Sequence, residues 1–520
     1  MAEPTSLLGQ ARAFARDFPR DRMPAGYLWN VVDYVPLIID AGLTGRGGWQ
    51  WGSDAAMTAD VAAGVLASFS TGEKCLAITA DKKLYEVGSS PPYTSTYRFA
   101  TYTAKQNPMQ WADTVIVLDG DGAAVPQLVT APGGSLSLAT MDASAPHAPL
   151  GTIYGAYVVV AGVPGQEQNV YFSYPNQPAH AWDSASVVPM SNRVTAIGSL
   201  RSVIIVFHPG SVERIRGSTP PATGQSNNDL IPEHLFDRVG CSDPKTVAYW
   251  NDNILFADEH GCHICDGAVI RNLVSQGSIL YYWRVLWGAK ATAAACTFLD
   301  YYIITVRRSD GSSDTLVCDL NKRQWFRFSN FYALSMFASA GGTGMERGWA
   351  GMAGTNRLAR IGPMWFPTLG SALLQDDDGK PVLPLIETPW YRLGAEGRKR
   401  VKFAYLSYDA RTTPGSGSEL AAWRNGFQLE DAESAIPLVP PDVLATVAPV
   451  LELDYITSPS AQTYTTAGHF PPSTRYLRRK LPIRQAPYGV AFRVQQLQPT
   501  MATRLYDIAI EGQPLERSRL

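Results

Sequence analysis

The stretch that decides the fold is YVVVAGVPGQEQNVYFS at residues 157–173, followed by VIIVFHPGSVERI at residues 203–215. Each stretch joins a short run of β-branched and aromatic residues to a second such run through a turn that contains Pro and Gly. Neither run has the period or the length of a helix. Two adjacent antiparallel hairpins of similar length therefore indicate a repeat.

Weaker copies of the same hairpin occur on both sides of these two. The copies follow one another at intervals of roughly 40 to 50 residues, which is the spacing of four-stranded propeller blades. Stacking such sheets around a centre buries both faces of each sheet and removes long exposed edges. We therefore expect an all-β fold with a β-propeller of about seven blades. The turns of the hairpins lie near Asp81, Asp119, Pro164, Pro209, Glu259, Ser309 and Gly354.

The 520 residues are enough for more than one domain. Residues 5–17 favour a short helix with an apolar face, and the β-prone residues 29–39 are expected to complete the blade begun by the last repeat. After Trp365, candidate strands are separated by long segments rich in Pro, Ser, Thr and Gly, which is typical of a β-sandwich-like domain. The alternative is a further blade or a segment that wraps the propeller. We predict an N-terminal arm at 1–26, the propeller at 27–365 and a C-terminal β domain at 366–520.

Composition limits the classes of function. A formal net charge of −2 gives no general reason to expect nucleic-acid or membrane binding. No apolar run approaches the roughly 20 residues needed to cross a bilayer, and the first residues lack the features of a secretory signal. Six scattered cysteines are typical of a protein that folds in a reducing cytoplasm without disulfides.

Two motifs invite a metal, and each has a simpler explanation. Cys262-His263-Ile264-Cys265, with His260 and Cys241 nearby, has a spacing found in zinc sites. However, residues that alternate along a strand point to opposite faces, so Cys262 and Cys265 are expected to diverge as buried, inert thiols. The acidic runs at 119–122 and 376–378 resemble parts of calcium loops, but they lack the closing Glu and hairpin turns explain them. We expect no metal and no cofactor.

Catalytic motifs are absent from the sequence. There is no Gly-x-Ser-x-Gly, Walker loop or His-Glu-x-x-His, and paired carboxylates cannot be identified because acids and turns coincide. Two basic clusters remain. They are either solvated strand ends or contacts with DNA phosphates or an acidic partner. These clusters consist of Arg398, Lys399 and Arg400, and of Arg478, Arg479 and Lys480.

Several segments resemble the head–tail connector and tail nozzle β-propeller proteins of tailed bacteriophages, including the DNA-stabilisation proteins of short-tailed phages. The resemblance covers most of the chain as a succession of short motifs. It implies a structural virion protein in a ring, commonly a hexamer, below the portal and its adaptor, and it carries no catalytic residues. The segments are residues 30–37 and 46–49, 169–173 with Trp182, 203–207 with 213–217, 254–256 with Gly261 and 266–267, and the C-terminal 504–512.

The sequence therefore predicts a non-enzymatic ring protein of the phage neck or tail, assembled in the host cytoplasm. Such a ring would help retain the genome, guide DNA ejection without sequence specificity and attach other tail parts such as fibres or spikes. Two rivals belong to other classes. A propeller glycoside hydrolase predicts acids and arginines at the centre of the ring, and a glycan-binding tail protein predicts an exposed aromatic patch in a concave site.

Overall fold

The computed structural model describes residues 57–88, 93–177, 179–223, 228–276, 279–339 and 347–361 without interruption. Shorter described segments flank this part on both sides. They are residues 5–6, 13–15, 22, 27–32, 34–36, 43–45, 50–51, 53, 376–377, 380–381, 385–388, 391–392, 399–412, 451–456, 464–470, 473–482, 489–497 and 501–514.

Seven short strands precede the repeats. They are β1 (Thr5–Ser6), β2 (Ala13–Phe14), β3 (Tyr27–Leu28), β4 (Asn30–Val32), β5 (Tyr34–Pro36), β6 (Leu43–Gly45) and β7 (Gln50–Trp51). The helix expected over residues 5–17 is wrong where the structure describes this segment, because Thr5–Ser6 pairs with the C-terminal strand and Ala13–Phe14 pairs with Tyr27–Leu28. Strand pairing supplied by distant residues overrides a weak local helix preference.

The repeats form seven sheets, which we number 1 to 7 in chain order. Sheet 1 contains β8 (Val61–Phe69), β9 (Gly72–Thr79), β10 (Lys83–Val87) and β11 (Ser95–Ala100). Sheet 2 contains β12 (Met109–Trp111), β13 (Thr114–Val117), β14 (Gln127–Thr130) and β15 (Ser137–Thr140). Sheet 3 contains β16 (Leu150–Tyr154), β17 (Tyr157–Val163), β18 (Gln166–Phe172) and β19 (Val187–Pro189).

Sheet 4 contains β20 (Ala196–Leu200), β21 (Val203–Phe207), β22 (Ser211–Arg216) and β23 (Ile231–Asp237). Sheet 5 contains β24 (Ala248–Trp250), β25 (Asn253–Asp258), β26 (Gly261–Cys265) and β27 (Ile270–Asn272). Helices α1 (Leu273–Gln276) and α2 (Leu280–Gly288) follow, and 3₁₀ turns lie at Pro132–Gly134 and Pro244–Thr246. Sheet 6 begins with β28 (Lys290–Phe298), β29 (Tyr301–Arg308), β30 (Ser313–Asp319) and β31 (Gln324–Phe328), and sheet 7 contains β32 (Ala333–Ser339), β33 (Arg347–Met352) and β34 (Arg357–Ile361) with β7.

Each sheet is a meander whose second strand is mostly buried, because neighbouring sheets cover both of its faces. All five residues of Val203–Phe207 are buried, for example, and the turn at Pro209 and Gly210 returns the chain as β22. One hydrophobic cluster lies between each pair of consecutive sheets, and another joins sheet 7 to sheet 1 through residues such as Phe337 and Leu66. The six four-stranded sheets, 1 to 5 and 7, thus have a β-propeller arrangement, which confirms the predicted all-β class and propeller.

The hairpins were located correctly. The seven predicted turns lie in seven different sheets. The strand that completes the last repeat differs from the prediction: Gln50–Trp51 pairs with β34, whereas Asn30–Val32 runs parallel to β31 of sheet 6. Both N-terminal strands are short and β-prone, so only the tertiary register assigns each to its sheet.

Some of the C-terminal strands pair with strands from the start of the chain, and the others pair with one another. They are β35 (Asp376–Asp377), β36 (Lys380–Pro381), β37 (Leu385–Glu387), β38 (Tyr391–Arg392), β39 (Lys399–Thr412), β40 (Leu451–Ile456), β41 (Thr465–Phe470), β42 (Ser473–Pro482), β43 (Gly489–Gln496) and β44 (Met501–Pro514). Sheet 6 continues from β31 through β4, β37, β43 and β40 to β41, with β38 beside β43. A second sheet has the order β42-β39-β44-β6-β5, with β1 also on β44. The predicted boundaries at residues 26 and 365 stay predictions.

Candidate functional site: the central cavity

A cavity of about 700 Å³ lies where the first strands of all seven sheets meet. Its wall includes Gly64 of sheet 1, Gly151 of sheet 3, Ile197 of sheet 4, Ala248 of sheet 5 and Ala295 of sheet 6. Small residues on these strands let neighbouring sheets approach closely. A Cβ atom at Gly64 would lie 2.2 Å from the Phe337 ring of sheet 7.

Side-chain amides from the segment before β12 close one end of the cavity. Gln106 donates from Nε2 to the Gly151 carbonyl oxygen at 2.9 Å and accepts from the Gly151 amide at 3.1 Å. Asn107 donates to the Met336 carbonyl oxygen at 2.8 Å and accepts from the Gly64 amide at 3.3 Å. Asn107 therefore links the segment before sheet 2 to two further sheets, sheet 1 and sheet 7. Both amides satisfy backbone groups that would otherwise lack partners at the inner edge of the blades.

A lysine spans the ring at the same end. Lys245, just before sheet 5, donates from Nζ to the carbonyl oxygen of Ala62 in sheet 1, at 2.7 Å. Sheets 5 and 1 are not neighbours, so this bond crosses the ring. Burial lowers the pKa of the Lys245 amine, while Asp243 opposes that effect. Lys245 does not line the cavity, whereas Gln106 and Asn107 do, so these two amides are the polar groups at the end where the first strands begin.

Hydroxyl groups link the sheets further along the cavity. Ser199 of sheet 4 donates to the Ile153 carbonyl oxygen of sheet 3 at 2.5 Å and accepts from Thr152 at 3.1 Å. Tyr249 of sheet 5 accepts a hydrogen bond from the Ser199 amide at 3.3 Å. Burial of the phenol end raises the pKa of Tyr249, although its ring faces the cavity. Thr297 of sheet 6 donates to the Tyr249 carbonyl oxygen at 2.7 Å.

The other end of the cavity is open and carries the one carboxylate found among the described residues of the wall. Trp250 donates from Nε1 to Asp300 Oδ1 at 3.0 Å, which joins sheets 5 and 6. Asn251 and Asp300 are exposed at this mouth, and Trp250 is half-buried. Among the described residues of the wall there is no Lys, Arg, His or Glu. The cavity therefore offers amides, hydroxyls, aromatic rings and one carboxylate.

Sheets 4 and 5 carry buried acid–histidine pairs at equivalent positions, with the order reversed. In sheet 4, His208 follows the second strand, and its Nε2 lies 3.4 Å from Glu213 Oε2 on the third strand. In sheet 5, Asp258 ends the second strand, and its Oδ1 lies 2.8 Å from His263 Nε2 on the third strand. Each pair joins the two strands of its hairpin outside the cavity wall, so we assign both a structural role.

Cys262 and Cys265, whose spacing resembles that of zinc ligands, lie on opposite faces of β26, as expected. Cys262 belongs to the cluster between sheets 5 and 6, whereas Cys265 and Cys241 belong to the cluster between sheets 4 and 5. Burial raises the pKa of the Cys265 thiol to about 11 and of the Cys241 thiol to about 12. His263 is held by Asp258. Within the part of the chain that is described, no group of His, Cys, Asp and Glu converges as metal ligands do.

The first acidic run acts as a turn. Asp119 is buried, and its carboxylate accepts hydrogen bonds from the backbone amides of Asp121, Ala123 and Ala124 at 2.9 to 3.2 Å. In the second run, Asp376–Asp377 pairs with Lys380–Pro381, and Asp378 lies outside the described residues.

The two basic clusters lie in adjacent strands but at different heights. Lys399 and Arg400 begin β39, and Arg398 lies outside the described residues. In β42, Arg478, Arg479 and Lys480 are opposite Ser407, Leu406 and Tyr405 of β39. Lys480 and Arg400 are therefore separated by five residues along β39, or roughly 17 Å. The register does not bring the clusters together.

Sequence reasoning missed the cavity residues. Gln106 and Asn107 lie in a loop and Lys245 in a 3₁₀ turn before their sheets, where no periodic pattern marks them. Trp250 and Asp300 each end a short apolar run and look like ordinary turn residues in the sequence. The only signal was the repeat itself, which implies that residues at equivalent positions of different sheets meet at the axis.

No protein-family model matches the chain, and no curated protein sequence matches it significantly. Among solved structures, BamB from Moraxella catarrhalis is similar at 10% identity over 63% of this chain and 93% of that chain, with a TM-score of 0.34. BBS1N in complex with ARL6DN is similar at 9% identity over 61% and 96%, with a TM-score of 0.38. The computationally designed Ika8 protein is similar at 10% identity over 60% and 98%, with a TM-score of 0.36. At these values the likenesses carry no functional argument. Neither helix in the described residues has the length and apolarity needed to cross a membrane.

Proposed function

We propose that the chain is a structural component of a tailed-phage virion, which forms a ring in the neck or tail and joins other virion proteins. The motifs that resemble connector and nozzle propellers motivate the proposal. The observation that supports it best is the use of the cavity's polar groups. Gln106, Asn107 and Lys245 each donate a hydrogen bond to a backbone carbonyl oxygen of another sheet, as expected of a rigid scaffold.

We propose further that the meander β28–β31 is the seventh blade of the propeller. Its first strand contributes Ala295 to the cavity wall, as the first strands of the other sheets do. It packs against sheet 5 on one side, where Trp325 and Leu255 share a cluster, and against sheet 7 on the other, where Ile303 and Met336 do. A density map that resolves seven equally spaced sheets around the axis would support this count. Six sheets with the meander displaced outward would contradict it.

For the C-terminal half we propose a β-sandwich-like unit built on sheet 6. Leu406 and Ile508, from the sheet that contains β39 and β44, belong to the same buried cluster as Leu453 and Val494 of the sheet 6 extension. Two sheets that share one cluster are the basis of a sandwich.

If the chain forms a ring of several copies, commonly six, its expected protein partners are the portal or adaptor above it and other tail proteins. Viral DNA would pass through this ring without sequence-specific contacts. A conduit with many phosphate contacts would bind DNA strongly and with a steep salt dependence. The near-neutral net charge favours a wall that lets DNA slide. We therefore assign the basic clusters to protein partners.

The mass of the assembled particle tests whether copies of the chain form a ring. Mass photometry of the purified chain, alone and with the adjoining neck proteins, should detect a closed ring of several copies in at least one condition. A chain that stays monomeric with those proteins present, and is missing from purified virions by mass spectrometry, would contradict the proposal.

Replacing the six basic residues of the two clusters by Ser tests their assignment. Incorporation into particles should fall, while the isolated protein stays folded and its DNA affinity does not change. A control with Lys82 and Lys322 replaced by Ser should incorporate normally. Salt-sensitive DNA binding that the six-residue variant loses would assign the clusters to DNA, and hydrolysis of a polysaccharide by the purified chain would favour the glycoside hydrolase instead.

A further inference from the structure

We propose that the open end of the central cavity binds one neutral pyranose sugar, with Trp250, Asn251 and Asp300 as its contact residues. This inference rests on the cavity alone and goes beyond the virion role. It would hold equally for a propeller of another origin.

The polar groups deep in the cavity are already hydrogen-bonded to the protein, unlike those at its mouth. The amides of Gln106 and Asn107 each make two hydrogen bonds to backbone groups, and Ser199 both donates and accepts. These bonds hold the three side chains in place and leave each amide with at most one further N–H donor. The groups at the mouth are less committed, so we place recognition there.

The mouth offers groups that a ligand can reach. Asp300 uses Oδ1 for the Trp250 indole, which leaves Oδ2 without a hydrogen bond in the described structure. The Asn251 side chain likewise makes no hydrogen bond within the described residues. Thr297 donates to a carbonyl oxygen, so its hydroxyl oxygen can still accept. Trp250 adds a large, half-buried ring beside these acceptors.

The chemistry of these groups selects the class of ligand. Several acceptors beside an aromatic ring fit a molecule that has hydroxyl donors on its rim and apolar C–H groups on its face, as a pyranose does. An anion finds no cationic side chain on the described wall. The volume of about 700 Å³ lies within the range of small-molecule pockets and exceeds the needs of one sugar ring.

An organic cation is the main competitor, because a carboxylate beside a tryptophan also suits an ammonium group. The two classes respond differently to the charge of Asp300. A sugar needs the oxygen acceptor, whereas a cation needs the negative charge. Asp300→Asn keeps the shape and an oxygen acceptor while it removes the charge.

The test uses the full-length chain and three probes: the methyl β-pyranosides of glucose, galactose and N-acetylglucosamine. Saturation-transfer NMR and calorimetry should detect at least one of them, with a Kd on the order of 1 mM for a ligand of this size. Tetramethylammonium serves as the cationic probe. If none of the three sugars binds, the proposal is wrong.

Variants then locate the site. Trp250→Ala should weaken sugar binding at least about tenfold, and Asp300→Ala should do the same, whereas Asp300→Asn should change it less than about threefold. Asn251→Gly suits the backbone φ of 42° and should also weaken binding. Tyr281→Ala, on the exposed face of α2 away from the cavity, is the matched control and should have no effect.

Thermal unfolding of each variant guards against a misfolded mutant. Should Trp250→Ala fail to fold, Trp250→Phe retains a ring and should bind the sugar more weakly than the wild type but more strongly than Asp300→Ala. Tetramethylammonium binding that Asp300→Asn abolishes, together with no sugar binding, would replace the sugar by a cation. Sugar binding that none of the mouth variants changes would place the site elsewhere and refute the proposal.

Discussion

Sheets 5 and 6 begin in the same way and end differently. Both are four-stranded meanders, but sheet 5 stops at β27, whereas sheet 6 continues into six further strands that come from both ends of the chain. Sheet 5 therefore takes all of its strands from residues 248–272, and sheet 6 draws its strands from residues 30 to 496. The difference teaches that sheet 6, unlike sheet 5, is extended by strands from both ends of the chain.

The largest expected effect comes from removing the N-terminal strands. Deleting residues 1–53 takes away β4, which separates β31 from β37, and β7, which completes sheet 7. It also removes Leu28, Val31 and Tyr34 from the largest core cluster. We expect the shortened chain to aggregate or to lose cooperative unfolding, as measured by calorimetry. Deletion of residues 515–520, beyond the last described strand, is the control and should leave the transition unchanged.

The next largest loss of stability is expected when a tryptophan between sheets 5 and 6 is replaced. Trp325 is fully buried on β31, and its Nε1 donates to the Leu273 carbonyl oxygen at 3.1 Å. Trp325→Ala should cost about 3–5 kcal/mol of the free energy of unfolding. Phe256→Ala, in the core between sheets 4 and 5, should cost a similar amount.

The two variants should open different parts of the molecule. In hydrogen exchange, Trp325→Ala should first expose residues 30–32 and 489–496, and Phe256→Ala should first expose residues 203–216 and 253–265. The same exchange pattern in both variants would mean that the two regions unfold as one unit, and the distinction drawn between them would fail.

A smaller loss of stability is expected when the acid at the turn of sheet 5 is replaced. Asp258 accepts hydrogen bonds from the amides of His260, Gly261 and Gly240 at 2.8 to 3.1 Å, and it also holds His263. Asp258→Ala leaves these groups without their acceptor and should cost about 2–3 kcal/mol in urea unfolding. Asp258→Asn keeps one oxygen acceptor and should cost less. Equal losses in both variants would assign the effect to charge rather than to the turn.

The turn of sheet 1 should give a pH-dependent effect. Hydrogen bonds from Lys83, Thr58 and Thr79 lower the pKa of Asp81. A carboxylate whose pKa is lowered by folding stabilises the fold above its unfolded pKa, about 3.9, and loses that contribution as the pH falls below it. Asp81→Asn should therefore reduce stability at pH 7 by no more than about 1 kcal/mol. This difference should shrink in unfolding measured at pH 3. A constant difference at both pH values would contradict the ionic origin.

The smallest loss of stability is expected when the ion pair between sheets 4 and 5 is broken. Arg201 Nε and Asp252 Oδ1 are 3.0 Å apart, and the two side chains are 85% and 62% exposed. Exposed pairs of this kind contribute about 0–1 kcal/mol. Arg201→Ser should change the melting temperature little, and high salt should remove even that change. A large loss would mean that the mouth of the ring carries more of the stability than its core.

The hairpins were predictable because the information for each lies within a few tens of residues. Runs such as Val203–Phe207, followed by a Pro-Gly turn, specify two antiparallel strands, and their spacing specifies a stack of similar sheets. The opposite faces of Cys262 and Cys265 follow from strand alternation and were also foreseen.

The partners of the isolated strands could not be predicted from the sequence. Gln50–Trp51 and Asn30–Val32 are each compatible with several sheet edges, and only long-range packing selects β34 for one and β31 for the other. The cavity depends on the same kind of information. Asn107 meets Met336, which is 229 residues away, only because the ring closes. Local composition determined the hairpins, whereas tertiary closure determined which residues meet at the axis. A hydrogen bond between residues so far apart in the chain has no counterpart in any local pattern.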